Sequence, residues 1–319
     1  MGIRKVTLEE HFNTPYFGAA EDATLSAFAS AGASYIRQRI ADFTEFRLPD
    51  MDAAGIDVQI LSLTSPGVQR IADTAEAVTA ARDVNDFLAS VVRAHPDRFA
   101  GMATLATQEP AEAVAELERA VVELGMRGVL INGHANGVYL DDRRYWPLWD
   151  KVAELDVPVY LHPADPMVPW STTEGHPELI GATWGWAFET GTHVLRLVMA
   201  GLFDAFPSLK IIVGHMGEML PYGLWRLDDR YELLGSPCAL THPPSYYVKR
   251  NVYVTTAGVN SYEPFQCVHS VMGIDHILFS VDYPYQYADQ AVAFTDSLPI
   301  GDFERELLYH GNAERLFGV

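Results

Sequence analysis

The chain has 319 residues, of which 49% are hydrophobic, and a formal net charge of −20. That length is normal for one α/β barrel, and that hydrophobic content excludes a disordered chain. The strong negative charge repels phosphate backbones and anionic lipid headgroups, which argues against nucleic acids and membrane surfaces as partners.

The cysteines and the amino-terminal segment indicate a cellular compartment. Cys238 and Cys267 are the only two cysteines and form no CxxC pair, which is typical of reduced thiols in the cytoplasm. The first residues lack the apolar stretch of a signal peptide, and no run approaches the ~20 apolar residues of a membrane span. The sequence therefore predicts a soluble, cytoplasmic protein.

Short apolar runs alternate with longer helical patterns along almost the whole chain. Helical periodicity is clearest over Thr74–Ala94 and Pro110–Leu124. There are eight short apolar runs, and most of them are rich in valine, isoleucine and leucine, as strands buried on both faces should be. The predicted strands are Lys5–Glu9, Val58–Leu63, Phe99–Thr104, Gly128–Asn132, Pro158–His162, Lys210–His215, Asn251–Thr255 and Ile277–Asp282.

This alternation implies parallel strands joined by right-handed crossovers. An open, doubly wound sheet would give a similar pattern, but the count of eight and the lack of GxGxxG after the first strand favour a closed barrel. We therefore predict an α/β fold with one (β/α)8 TIM barrel domain over residues 1–319. Asn13–Phe46 and Asp165–Trp186, after strands 1 and 5, exceed ordinary βα loops and are predicted to cap the barrel mouth.

Ionisable side chains end four of the predicted strands. Alternate residues of a strand face the same side, so Glu9 and His11 are predicted to point together and Glu10 away. Each residue alone has an ordinary structural interpretation, but buried charges that converge on one barrel mouth need a partner, which a metal supplies. The predicted ligands of one divalent ion, such as Mn or Zn, are Glu9, His11, His162 and Asp282. His215 ends the sixth strand, and whether it also binds the metal is left open.

The order Glu-x-His, His, His and Asp on strands 1, 5, 6 and 8 resembles the amidohydrolase superfamily. The segments LEEHF, LHP, GHMGE-LPY-WRLD, DYPYQY and NAERLF resemble its aromatic acid decarboxylase branch, which includes γ-resorcylate, 2,3-dihydroxybenzoate and 5-carboxyvanillate decarboxylases. Typical hydrolases of the superfamily open with His-x-His, whereas this chain has Glu9-x-His11. Binuclear members carry a bridging Lys or Glu after strand 4, where this chain has Asn132, so one metal is expected.

The resemblance implies the non-oxidative decarboxylation of an ortho-hydroxy aromatic acid. A proton adds to the ring carbon that bears the carboxylate, and CO2 then leaves. Asp282 is implied to deliver that proton. Glu218 lies three residues after His215, which predicts that the two form a relay in which the carboxylate orients the imidazole.

Four further residues are predicted to bind the substrate. Arg226 matches the family position that meets an anionic or polar substituent, although an ion pair with Asp228 or Asp229 would also account for it. Tyr285 is expected to cover the aromatic ring, with core packing as the alternative. Asn132 and His134, just past strand 4, are expected to line the pocket.

Two questions stay open at the level of sequence. The alternative function is a mononuclear metal-dependent hydrolase of a lactone or amide, which would use metal-bound hydroxide on a similar barrel. The segments also mix features of the resorcylate and carboxyvanillate types, so the resemblance does not choose the substrate. The family further implies a homodimer or homotetramer.

Overall fold

A computed structural model of the chain describes residues 2–17, 30–234 and 238–319. Its centre is one sheet of eight parallel strands, paired in sequence order and alternating with helices. The strands are Val6–Phe12 (β1), Val58–Leu63 (β2), Phe99–Ala103 (β3), Gly128–Asn132 (β4), Val159–His162 (β5), Ile211–Val213 (β6), Val252–Thr255 (β7) and Ile277–Leu278 (β8). The predicted (β/α)8 barrel is confirmed.

The barrel closes between β1 and β8 without a full ladder. The two strands share one isolated parallel bridge, between Leu8 and Ser280. The Ser280 hydroxyl also donates to the Leu8 carbonyl, and the His11 N–H donates to the Tyr283 carbonyl at 2.7 Å. Because β8 is only two residues long, single hydrogen bonds from the backbone and from side chains join it to β1 in place of a continuous ladder.

Helices surround the strands. The predicted helix Thr74–Ala94 is confirmed, and Asp73 caps it by accepting the N–H of Glu76 at 2.9 Å. The second predicted helix begins at Pro110 as expected and ends at Val122, two residues early. The α-helices are Ser30–Arg39, Arg47–Ala54, Thr74–Ala94, Pro110–Val122, Trp146–Leu155, Gly185–Met199, Leu202–Ala205, Leu220–Leu234, Pro244–Asn251, Tyr262–Met272, Ala288–Ser297, Asp302–Glu306 and Asn312–Phe317.

Two apolar layers hold the barrel together. The larger one packs between the strands and the surrounding helices. The smaller one fills the inside of the barrel and includes Leu8, Leu130, Tyr160 and Ile212. Phe317 of the last helix packs against it, and a Cβ added to Gly128 at the start of β4 would lie 3.0 Å from the Phe317 ring. The amino-terminal end of the barrel is thus filled, which leaves chemistry to the opposite mouth.

The two predicted capping segments lie after β1 and β5. In the first, residues 18–29 lie outside the described part of the chain, and the described remainder holds the helix Ser30–Arg39. The second contains three short 3-10 turns, at Ser171–Thr173, Pro177–Leu179 and Gly181–Thr183. Across the described ranges, no helix is both long and apolar enough to cross a membrane.

Three strands end earlier than predicted: β3 by one residue, at Ala103, and β6 and β8 by two or more. β6 ends at Val213 rather than His215, and β8 ends at Leu278 rather than Asp282. At both predicted strand ends the backbone is left-handed instead of extended, with φ 52° at His215 and φ 74° at Asp282. Both site residues therefore lie on turns beyond the strands, rather than as their last residues.

Candidate metal centre

Three buried side chains at the carboxyl-terminal mouth of the barrel form a cluster that fits one metal ion. Glu9, His11 and His162 each offer one ligand atom, and these atoms lie within 4.8 Å of one another. All three side chains are at most 4% exposed. One carboxylate and two imidazoles form a mixed oxygen and nitrogen set that suits a divalent transition metal. The chain thus has a Glu-His-His site for a single metal ion.

A β-bulge in β1 places Glu9 in this cluster. The register between β1 and β2 shifts between Leu8 and Glu10, which leaves Glu9 as an extra residue with φ 64°. Leu8 points into the barrel, so unbroken alternation would turn Glu10 inward and Glu9 outward. The bulge reverses this, so that Glu9 faces the inside of the barrel mouth together with His11. Their predicted shared orientation is confirmed, and the bulge turns that shared side inward.

Hydrogen bonding prepares the His162 imidazole as a ligand. Its Nδ1 lies 3.0 Å from the Pro163 carbonyl, which can only accept, so Nδ1 carries the hydrogen and Nε2 keeps its lone pair. Burial, and then the neighbouring His11 ring, hold the pKa of His162 well below its usual value. The two imidazole rings meet edge to face with centroids 4.8 Å apart. His162 is therefore neutral and ready to bind a cation.

The two carboxylate oxygens of Glu9 have different surroundings. Oε2 accepts hydrogen bonds from the Tyr160 hydroxyl and from Thr255 Oγ1, the latter at 3.0 Å. Oε1 is buried and has no hydrogen-bond partner, although it lies 3.6 Å from His162 Nε2. Burial raises the pKa of Glu9 to about 8. An unpartnered buried carboxylate oxygen beside a neutral imidazole is what a cation site requires.

Asp282 lies between two imidazoles on the open side of the cluster. Its Oδ1 is 3.4 Å from His11 Nε2 and its Oδ2 is 3.8 Å from His215 Nε2. Burial alone would raise the pKa of Asp282, but hydrogen bonds from both imidazoles outweigh it and lower the pKa to about 2. The Asp282 and His215 side chains are 14% and 26% exposed, so a molecule in the mouth can reach them.

His215 and Glu218 form the predicted pair. His215 Nδ1 lies 2.7 Å from Glu218 Oε1, and Glu218 is buried below the imidazole. Burial by itself lowers the pKa of His215, but the carboxylates of Glu218 and Glu9 outweigh it and raise the pKa well above its usual value. The pair thus links a buried carboxylate to an imidazole that faces Asp282.

The site has a strained backbone. Six of the eight non-glycine residues with positive φ among the described residues belong to it: Glu9, His215, Met216, Glu218, Met219 and Asp282. Such conformations cost about 1–3 kcal/mol each and persist where the surrounding structure enforces them. Their concentration around one cluster marks this mouth as the functional end of the barrel.

Two of the predicted substrate-binding residues lie next to the cluster. Asn132 pairs with His162 in the β4–β5 register and is buried, and its Oδ1 has no hydrogen-bond partner. The Tyr285 ring centroid lies 5.7 Å from that of His11, and its hydroxyl is 2.7 Å from Thr64 Oγ1. Both side chains thus lie beside residues of the metal cluster, and their contact with substrate stays a prediction.

The other two predicted substrate-binding residues have protein partners instead. His134 Nδ1 accepts the Gly137 N–H at 2.9 Å, and its Nε2 lies 3.1 Å from the Asp165 carbonyl. Nδ1 therefore stabilises the loop after β4 internally, and Nε2 ties that loop to the capping segment after β5. The Arg226 side chain is 69% exposed and lies 3.7 Å from Asp229 of its own helix. This ion pair with Asp229 is the alternative that the sequence analysis gave for Arg226. A role of Arg226 toward substrate stays a prediction.

Glu10 is a buried residue whose structural role the sequence did not reveal. Its Oε1 accepts the Val281 N–H at 3.0 Å, and its Oε2 accepts from Gln59 Nε2 at 3.1 Å. Arg47, fully buried behind β1, donates to Gln59 Oε1 at 3.1 Å and to the His11 carbonyl. This network joins β1 to the residue before Asp282, where the strands lack a ladder. Glu10 points away from the metal cluster, as predicted.

Tyr160, Thr255 and Trp186 also surround the cluster and were missed. Tyr160 precedes His162 by two residues, so the strand period that found Glu9 and His11 could have found it. Thr255 ends β7 without any charge to mark it. Trp186 is the last residue of the second capping segment and lies in the first turn of the helix Gly185–Met199, and its ring centroid lies 6.2 Å from that of His162. The segment also contains Trp170 and Trp184, and residue type alone does not show which tryptophan reaches the cluster.

Comparison with known proteins agrees with this geometry. Residues 11–319 match the Amidohydrolase family. The chain belongs to this family. A γ-resorcylate decarboxylase from Polaromonas sp. (strain JS666 / ATCC BAA-500) is 40% identical, and the alignment covers 98% of each chain.

Solved amidohydrolase structures resemble the whole fold. A 2,6-dihydroxybenzoate decarboxylase in complex with 2,6-dihydroxybenzoate has a TM-score of 0.94 and 38% identity, with 100% of both chains covered. A 5-carboxyvanillate decarboxylase from Novosphingobium aromaticivorans DSM 12444, in complex with manganese and 4-hydroxy-3-methoxy-5-nitrobenzoic acid, has a TM-score of 0.93 and 37% identity. That comparison covers 100% of this chain and 97% of the other. The expected resemblance to aromatic acid decarboxylases is confirmed.

Proposed function

We propose that this protein is a metal-dependent, non-oxidative decarboxylase of an ortho-hydroxy aromatic carboxylic acid. The observation that carries the proposal is the position of Asp282, whose carboxylate lies 3.4 Å from the metal-site imidazole of His11 and 3.8 Å from His215. A group that can carry a proton thus stands beside the metal cluster, where a substrate would bind. The decarboxylases among the relatives support the same reaction class.

The reaction replaces a carboxylate on the ring by hydrogen. Asp282 takes up a proton, from the bound acid or from His215, and delivers it to the ring carbon that bears the carboxylate. The bond from that carbon to the carboxylate then breaks, its electron pair restores the aromatic ring, and CO2 leaves. His215 and Glu218 hold the proton and return it to Asp282. Each turnover of the carboxylate thus consumes one proton and releases one CO2.

The proposed ligands of the divalent ion are Glu9, His11, His162 and Asp282. A bound ion of this kind would supply Lewis acidity, which lowers the pKa of a phenol and orients a carboxylate together with its ortho oxygen. Asn132 and Tyr285 are proposed to line the ring pocket, and Arg226 and His134 to complete it. We propose manganese or zinc, and the manganese-bound relative supports the first.

The test is an assay of metal-loaded protein on a panel of phenolic acids, with CO2 and phenol both quantified. The panel contains 2,6-dihydroxybenzoate, 2,3-dihydroxybenzoate, salicylate and 5-carboxyvanillate. We expect equal amounts of CO2 and phenol from at least one acid, and loss of both products on chelation. A folded, metal-loaded protein that turns over none of them would refute the proposal, and lactones would then test the hydrolase alternative.

We also propose that the protein forms a homodimer or homotetramer. The helix Leu220–Leu234 exposes two aromatic side chains, Tyr222 at 90% and Trp225 at 77%. Exposed aromatic side chains of this size are enriched at interfaces between subunits. Light scattering should report a dimer or tetramer that Trp225→Glu dissociates, and a monomeric wild-type protein would contradict this.

A cytoplasmic location remains part of the proposal, supported by the absence of a disulfide at Cys238 and Cys267.

A further inference from the structure

We infer that Tyr160 and Thr255 are positioning residues that hold Glu9 as a one-oxygen metal ligand. Tyr160 lies on β5 and Thr255 ends β7, so the two hydroxyls reach Glu9 from strands other than its own. Both side chains are fully buried inside the barrel. The inference rests on the metal site of the proposed function and adds how this chain orients one of its ligands.

The contacts divide the Glu9 carboxylate into an occupied oxygen and an available one. The Tyr160 hydroxyl and Thr255 Oγ1 both donate to Oε2, and the two hydroxyl oxygens lie 3.2 Å apart. Oε1 receives no hydrogen bond and lies 3.6 Å from His162 Nε2 and 3.9 Å from His215 Nε2. With Oε2 committed to two donors, a cation in the cluster meets Oε1 alone.

The surroundings of Glu9 also prevent the carboxylate from turning. A Cβ added to Gly214 would lie 2.8 Å from Glu9 Oε1 and 2.9 Å from the Tyr160 hydroxyl oxygen. Glycine is therefore required at this position in the turn after β6, because any side chain would displace the carboxylate or its donor. The bulge in β1 fixes the backbone of Glu9, and the two hydroxyls fix its Oε2.

A purely structural role for these hydroxyls makes a different prediction. The chain offers a matched comparison in Tyr309, which is as buried as Tyr160 and donates to the Asp296 carboxylate at 2.7 Å. Tyr309 lies in the turn Leu307–Gly311, outside the metal cluster. Removing either hydroxyl deletes one hydrogen bond to a carboxylate, which is buried for Tyr160 and partly buried for Tyr309, but only Tyr160→Phe releases a metal ligand.

The experiment measures the affinity of the metal-free full chain for Mn²⁺ and Zn²⁺ by competition with a fluorescent chelator, alongside the melting temperature. We expect Tyr160→Phe to bind either ion about 10- to 100-fold more weakly than wild type. Thr255→Val should show a smaller loss, and Thr255→Ser should restore binding because it keeps the hydroxyl. Tyr309→Phe should lower the melting temperature and leave the affinity unchanged.

Wild-type affinity in both Tyr160→Phe and Thr255→Val, with a lower melting temperature, would overturn the inference. If Tyr160→Phe fails to fold, the Thr255 pair of variants decides the question alone. Because the readout is metal binding rather than turnover, the inference can fail while the decarboxylase proposal stands. The reverse also holds, since a protein without decarboxylase activity can still lose metal affinity in these variants.

Discussion

The Nδ1 of His215 lies 2.7 Å from Oε1 of Glu218. The other ring nitrogen, Nε2, faces Asp282 Oδ2 at 3.8 Å. Glu218 is buried, so its carboxylate acts on the imidazole through surroundings of low dielectric constant. This relationship supports the proposed role of His215 as a proton carrier, because Glu218 orients one ring nitrogen and the other faces the Asp282 carboxylate.

Replacement of Glu218 by glutamine should slow turnover by about 10²-fold or more, the usual contribution of proton transfer by a positioned group. The amide keeps the shape of the side chain but cannot stabilise a protonated imidazole. Metal content, measured by elemental analysis, should stay at the wild-type level, because Glu218 is not a proposed ligand. Wild-type turnover in Glu218→Gln would remove the pair from the mechanism.

His162→Ala should lose the metal, because it removes one of the three ligand atoms that lie within 4.8 Å of one another. His134→Ala is the matched control, since both nitrogens of that ring bind backbone groups instead. Elemental analysis of both purified variants checks this. Full occupancy in His162→Ala, or loss of metal in His134→Ala, would show that the ligand set is assigned incorrectly.

Asp282→Asn should abolish turnover even where some metal remains. Asparagine nearly preserves the size of the side chain, but its amide cannot take up and deliver a proton in the way that a carboxyl group does. The comparison requires turnover per bound metal, so metal content and product must be measured on the same sample. A rate per metal close to that of wild type would exclude Asp282 as the proton donor.

The sequence predicted the barrel well where strands are buried on both faces. The bounds of β2 and β4 match the prediction, because uniform apolar runs end where turn residues begin. β6 and β8 were predicted too long, because His215 and Asp282 follow apolar residues directly but take a left-handed backbone. Nothing in residue type alone distinguishes a histidine that ends a strand from one that turns out of it.

Within the candidate site, the ionisable residues could be predicted, but the backbone geometry and packing that orient them could not. The rule that polar residues cluster at strand ends found the triad, Asp282 and His215. It could not find the Glu9 bulge, which depends on how β1 and β2 pair. It also could not orient Arg226, because the face that a helix exposes is set by packing between distant segments.

Arg47→Met should destabilise the protein by about 3 kcal/mol or more, because it leaves two buried acceptors, Gln59 Oε1 and the His11 carbonyl, without their donor. Urea unfolding of the variant and of wild type measures this difference. The double variant Arg47→Met/Glu10→Gln should lose less than the sum of the two single variants, since both residues bond the same side chain, Gln59. Strict additivity would mean that Arg47 and Glu10 act independently.

His193 should make the protein less stable in acid. Its ring is buried and accepts the Leu140 N–H at Nε2 with a distance of 2.9 Å, so the folded state holds it neutral. Burial, followed by the charge of Arg196, lowers the pKa of His193 from 6.5 to about 3. Between these two values the unfolded chain binds one more proton than the folded chain, so stability rises with pH there and is complete above the upper value.

Each pH unit within that window is worth about 1.4 kcal/mol, so acidification from about pH 7.5 to about pH 5 should remove about 2 kcal/mol through His193 alone. In His193→Gln the side-chain oxygen can still accept the Leu140 N–H but does not titrate. Urea unfolding at both pH values should therefore show a smaller acid loss in the variant than in wild type, whatever the other histidines contribute to both. An equal loss in the two proteins would mean that the buried ring does not resist protonation as its surroundings require.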